Sequence, residues 1–138
     1  MRFEDYFPDD MKEDEEHYTA IVFFDNMIRR DFTEILRNMR EGISSMICDT
    51  ISYELPENED DDCEWKNSGC IKLWWVAGDF GDEHAFLISF KMFTECLRLA
   101  AKIWINNNNM QNSSVISDIE ESIDVIGRRY ADYPSSLS

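Results

Sequence analysis

The stretch Cys70-Ile71-Lys72-Leu73-Trp74-Trp75-Val76-Ala77 decides the fold. Ile71, Leu73, Trp75 and Ala77 fall on one side of an extended chain, and Lys72, Trp74 and Val76 on the other. Alternation of this kind, carried by branched and aromatic residues, is the period of a strand. Downstream, Gly78 to Glu83 (GDFGDE) has turn residues at both ends, and His84 to Ile88 reads as a short further strand. Upstream, Met46 to Leu55 alternates as a single strand, with Ile47, Ile51, Tyr53 and Leu55 on one face, and Pro56 stops it. Three such strands pair most simply as an antiparallel meander.

Helical periodicity flanks this sheet on both sides. From Glu15 to Arg29, residues Tyr18, Ile21, Val22, Phe24 and Ile28 recur at helical spacing, and Phe23 and Met27 widen the apolar stripe. Asp31 is placed to cap a second helix, with Glu34 three residues on as in a capping box. Phe32, Ile35, Leu36 and Met39 form its buried face, and Gly42 ends it. After the sheet, Ser89 caps a helix carrying Phe93, Leu97, Ala100 or Ala101, and Trp104 to about Ile105. Asn106 to Asn109 break it. Ser113 or Ser114 caps a last helix with Ile116, Ile119, Ile123, Ile126 and Tyr130 in register. The expected class is α+β: N-terminal helices, a small three-stranded antiparallel sheet and two C-terminal helices. Residues 1–14 read as an acidic, loosely ordered N-terminus, 15–133 as one domain, and 134–138 as a loose tail.

The chain has 138 residues, and its 43% hydrophobic and 13% aromatic content excludes wholesale disorder. Twenty-nine acidic against 13 basic residues give a formal charge of −16. That excludes phosphate binding as the main role, because counterion release needs a basic face, so no nucleic-acid partner is expected. No run approaches the ~18 apolar residues of a membrane span, and no membrane partner is expected. The first sixteen residues hold eight acids and no apolar core, unlike a secretion or transit signal, and the expected location is cytoplasmic. Cys48, Cys63, Cys70 and Cys96 form no CxxC pair and are expected as thiols there.

No catalytic constellation emerges. The two histidines, His17 and His84, sit in no HExxH, and neither a GxSxG elbow nor a glycine-rich phosphate loop occurs. Asp79-Phe80-Gly81 spells a kinase tripeptide without the kinase motifs that work with it, and reads as a turn. A calcium loop starting at Asp60 would need Gly and Glu where Trp65 and Ile71 stand. No enzyme activity, cofactor or metal is expected.

The acids cluster instead. Glu54, Glu57, Glu59, Asp60, Asp61, Asp62 and Glu64 follow one another with no Lys or Arg between them. Such a loop suits docking to a basic protein, since complementary charge speeds encounter and sets register. The residues assigned to binding on charge are Glu57, Glu59, Asp60, Asp61, Asp62 and Glu64, with Trp65 as an aromatic anchor. Asp79, Asp82 and Glu83, around the next turn, are a second set. In a meander the two sets fall at opposite ends of the sheet and need not form one patch.

The order of pieces is also familiar. A capped helix ending in glycine leads to Ile51-Ser52-Tyr53-Glu54-Leu55-Pro56-Glu57. Then comes Gly69-Cys70-Ile71-Lys72-Leu73, a short strand running into Ile88-Ser89, and a helix with Phe93, Leu97 and Ala100-Ala101. This pattern, over about three-fifths of the chain from Ile21 to Trp104, resembles the immunity proteins of contact-dependent growth inhibition systems. It is most similar to those that neutralise ribonuclease toxins. The resemblance implies a cytoplasmic inhibitor that binds the toxin domain of a cognate secreted effector one to one. It would block the active site or substrate groove, and it transfers no residue roles. A ribonuclease groove is basic because it attracts phosphate, which agrees with the charge of this chain. Two other readings fit an acidic chain: a nucleic-acid mimic that inhibits a DNA-binding protein, and a non-catalytic adaptor domain.

Overall fold

The computed structural model describes Phe3, residues 15–77 and residues 82–133. Helix α1 (Glu15–Arg29) and the shorter α2 (Phe32–Arg40) precede four strands: β1 (Ser45–Cys48), β2 (Ile51–Glu54), β3 (Cys70–Ala77) and β4 (Asp82–Ser89). Helices α3 (Phe90–Asn107) and α4 (Ser113–Ala131) follow, so the class is α+β, with four helices and one sheet. The sheet is an antiparallel meander in the order β1-β2-β3-β4.

The sheet has four strands where three are expected. Met46 to Leu55 is not one strand but a tight hairpin that reverses at Asp49-Thr50. Ser45 pairs with Tyr53, Met46 with Ser52 and Cys48 with Ile51, with an irregularity at Ile47. The last strand is also longer than expected, because all eight residues of β4 pair with β3 from Cys70↔Ser89 to Ala77↔Asp82.

The two faces of the sheet have different fates. Ile51, Tyr53, Ile71, Leu73 and Ile88 point inward and are buried under α1 and α3. Helix α1 is apolar on most of its circumference because it has neighbours on most of its circumference: Phe23 meets the Tyr53 ring edge-on at 6.0 Å, and Phe24 contacts Phe93 at 5.9 Å. Phe3 is buried against this helix, stacked on Phe24 at 5.2 Å, and its N–H donates to Asp25 at 2.8 Å. The opposite face of the sheet carries no helix among the described residues.

Helix ends follow local chemistry, with two departures. Gly42 adopts φ +76° and the Gly42 and Ile43 amides donate to Met39 and Asn38, a Schellman close. The Ser89 hydroxyl caps α3 by accepting from Met92 N–H at 3.2 Å. Asp31 stands at the start of α2 but its side chain makes no capping bond, so the expected capping box is not formed. The cap of α4 is Asn112, not Ser113 or Ser114: its Oδ1 accepts from Ser114 and Val115.

Candidate protein-docking site

The segment between β2 and β3 divides into an anchored root and an exposed tip. A short 3-10 turn, Pro56–Asn58, begins it, with Pro56 at the first position where its missing N–H costs nothing. Asn58 ties this turn to the α2–β1 link: its Nδ2 donates to Gly42 at 3.0 Å and its Oδ1 accepts from the Ser44 amide at 3.1 Å. The Ser44 hydroxyl donates to Asn58 and accepts from Leu55 N–H at 2.9 Å.

Glu57 belongs to this root and not to the tip. Its carboxylate accepts from the Tyr130 hydroxyl at 2.8 Å and pairs with Arg129 at 3.5 Å, and both are half-buried or better. Arg129 in turn donates to Met39 O at 2.8 Å and to Arg40 O, closing the C-terminus of α2 where its carbonyls lack helical partners. Burial, then the Glu57 carboxylate, push the Tyr130 hydroxyl well above the usual phenol range. Glu57 therefore fastens α4 to α2 and the loop root.

The tip presents the remaining acids. Asp60, Asp61, Asp62 and Glu64 are exposed, and Trp65 is half-buried beside them. Amide bonds from Cys63 to Asp60 O at 3.0 Å and from Ser68 to Trp65 O at 3.0 Å fold the tip into successive turns. Lys66, one residue beyond Trp65, reaches back to Glu59 O at 2.8 Å and Asp61 at 3.1 Å. Asp60, Asp62 and Glu64 have no such ion pair among the described residues. Glu59 is half-buried at the junction of tip and sheet, where burial and the nearby Glu54 carboxylate raise its pKa despite Lys72.

The second acidic set is only partly described. Asp79 lies outside the described residues. Asp82 pairs with Ala77 in β4, and its side chain is not among the described ones. Glu83 is exposed on the open face of the sheet, opposite Val76. The strand order puts the two sets at opposite ends of β3, as a meander requires. The open face joins them, a link the alternation of residues 70–77 contained. Glu54, Lys72, Trp74, Ala85 and Glu83 line one shallow depression of about 230 Å³ that runs from the loop end towards the turn end.

A larger groove of about 750 Å³ lies between α3 and α4, lined by Phe90, Tyr130, Lys91, Arg98 and Arg128 among others. Its three cations stand against Glu95 and Asp124, with Arg98 paired to Asp124, so it offers no net negative charge to a basic partner. Among the described residues no three His, Cys, Asp or Glu side chains gather as metal ligands, and no helix is long and apolar enough to cross a membrane. The chain matches no known family, and neither a curated protein nor a solved structure matches it.

Proposed function

We propose that this protein is a non-catalytic inhibitor that docks on a basic protein domain, as an immunity protein docks on its cognate ribonuclease toxin. The observation that carries this reading is the anchored loop whose tip holds Asp60, Asp61, Asp62 and Glu64 in solvent beside Trp65. Charge at a tip reaches farthest into solution and steers an oppositely charged partner, while a rooted loop loses little entropy on binding. Trp65 supplies apolar area of the kind that concentrates interface energy. The net charge of −16 extends the attraction beyond the loop. The partner is a toxin domain with a basic substrate groove, bound one to one in the cytoplasm and blocked from RNA.

The test is to look beside this chain's gene for a secreted effector ending in a small basic toxin domain, and to use that domain for co-purification and growth rescue. One-to-one binding with rescue is the expected result. A toxin domain that neither binds nor loses toxicity would remove the immunity reading.

A further inference from the structure

We propose that the open face of the sheet is a docking surface for a basic protein, and that it seats a partner arginine against Trp74 between Glu54 and Glu83. Three observations carry this. First, Trp74 sits in mid-sheet with small cross-strand neighbours, Ser52 on β2 and Ala85 on β4. A bulky residue flanked by small ones leaves room beside its ring, and the 230 Å³ depression is that room. It is smaller than a site for a drug-sized ligand and suits one long side chain.

Second, the depression is cornered by carboxylates. Glu54 stands across from Lys72 at one end, and Glu83 lies about four strand residues, or ~13 Å, further along β3. Neither forms an ion pair among the described residues. Glu59 is near enough to feel both Glu54 and Lys72, which makes the face continuous with the acidic loop. Three carboxylates stand against Lys72 and Lys66, and Lys66 is already paired with Asp61, so the face stays negative. Arginine fits better than lysine: its guanidinium stacks flat on an indole and offers several donors to flanking carboxylates.

Third, the face is apolar where it is not acidic. Met46 is 56% and Leu87 42% exposed, at the two edges of the sheet. Ser52, between Met46 and Trp74, is only 4% exposed, and its small side chain leaves the Trp74 ring uncovered on that side. Apolar area rimmed by charge is the make-up of an interface.

The proposal rests on the reading above only in taking the partner to be basic, and its test needs no toxin domain. Blocked hexa-arginine and hexa-lysine peptides are titrated into the full chain by calorimetry at moderate salt. One-to-one binding of hexa-arginine is expected, tighter than hexa-lysine. Trp74→Ala and the double variant Glu54→Gln/Glu83→Gln should each weaken it about tenfold. Lys72→Gln should tighten it, because a like charge leaves the slot. Asp60→Asn/Asp61→Asn/Asp62→Asn should change it by less than about threefold. The Gln variants stand on an exposed face and keep the fold even if Trp74→Ala does not. Absent peptide binding, equal affinity for the two peptides, or weakening that tracks only the charge removed would each overturn the proposal. A failed peptide titration beside a successful toxin rescue would locate the interface on the loop. Peptide binding without rescue would keep the arginine seat and discard the toxin.

Discussion

At the scale of single residues, position separates carboxylates that look equivalent in sequence. Glu57 is bound to Tyr130 and Arg129, Asp61 leans on Lys66, and Asp60, Asp62 and Glu64 face water. Glu59 differs again, because burial, reinforced by Glu54, holds its pKa above the ordinary carboxylate value. Relative to the unfolded chain, the folded state thus holds the Glu59 proton more tightly. Its contribution to stability is present at acid pH and is lost as the pH rises through the raised folded value. Glu59→Gln should therefore raise the thermal midpoint at neutral pH by an amount within the usual ~0.5 kcal/mol of a surface change. The gain should vanish below about pH 3, where the glutamate is neutral in both states; a gain that persists there would refute this origin. The thiols divide in the same way. Burial pushes Cys96 up to about 12, with Glu95 adding to it. Burial also raises Cys48, but the Thr50 hydroxyl and amide, with Arg30, outweigh it and bring the thiol below its ordinary value. Iodoacetamide at neutral pH should label Cys48 well before Cys96, as read by peptide mass spectrometry. Early labelling of Cys96 would contradict its buried position.

At the scale of elements, one junction holds the helices to the loop. The Schellman close at Gly42, the Asn58 bonds and the Glu57–Arg129–Tyr130 cluster meet within a few ångströms. A Cβ on Gly42 would lie 3.4 Å from Glu57 Oε2 as well as strain a φ of +76°. Gly42→Ala should cost about 1–2 kcal/mol. Glu57→Ala leaves Tyr130 and Arg129 without their acceptor and should cost about 1–3 kcal/mol, whereas Glu57→Gln keeps an acceptor and should cost less. Denaturant midpoints at constant slope are the measurement. An unaffected midpoint for Glu57→Ala would return that residue to the list of interface candidates. Gly42 was readable in sequence because a helix end that needs positive φ advertises itself locally. The role of Glu57 was not, because Arg129 and Tyr130 are 72 and 73 residues away. The β1–β2 hairpin was hidden for another reason. Ile47 and Ile51 are four residues apart, so the alternation keeps its parity through the turn, and Asp49-Thr50 offers none of the glycine that marks a two-residue reversal. Asp31 shows the converse, a capping signal in sequence whose side chain makes no capping bond to its helix.

At the scale of the whole molecule, the two faces of the sheet differ. Helices cover one face of the sheet, and among the described residues none covers the other, which with the β2–β3 loop is the surface proposed for docking. The α3–α4 groove gathers Lys91, Arg98 and Arg128 on a different surface, with Arg98 paired to Asp124 at 2.9 Å. The alternation of residues 70–77 already set Trp74 on the side opposite Ile71, Leu73 and Trp75; only the structure shows that this side is the open one and, with Ser52 and Ala85 beside it, that the indole borders a depression. If both proposals hold, loop and sheet face divide the work of binding between them, and the division is measurable. Long-range attraction sets the association rate and is screened by salt, whereas desolvated contacts set the dissociation rate. Asp60→Lys/Asp61→Lys/Asp62→Lys reverses charge at the tip, where exposed substitutions change folding by under about 0.5 kcal/mol each. Even the Asp61–Lys66 pair adds at most about 1 kcal/mol, since it is open to solvent. Stopped-flow mixing with the basic toxin domain should show association slowed about tenfold or more at low salt, converging on the unmodified protein as salt rises, with dissociation nearly unchanged. Trp74→Ala should do the reverse, speeding dissociation at every salt concentration and leaving association alone. An association rate indifferent to the triple reversal would take the loop out of the encounter and leave steering to the sheet face and the net charge.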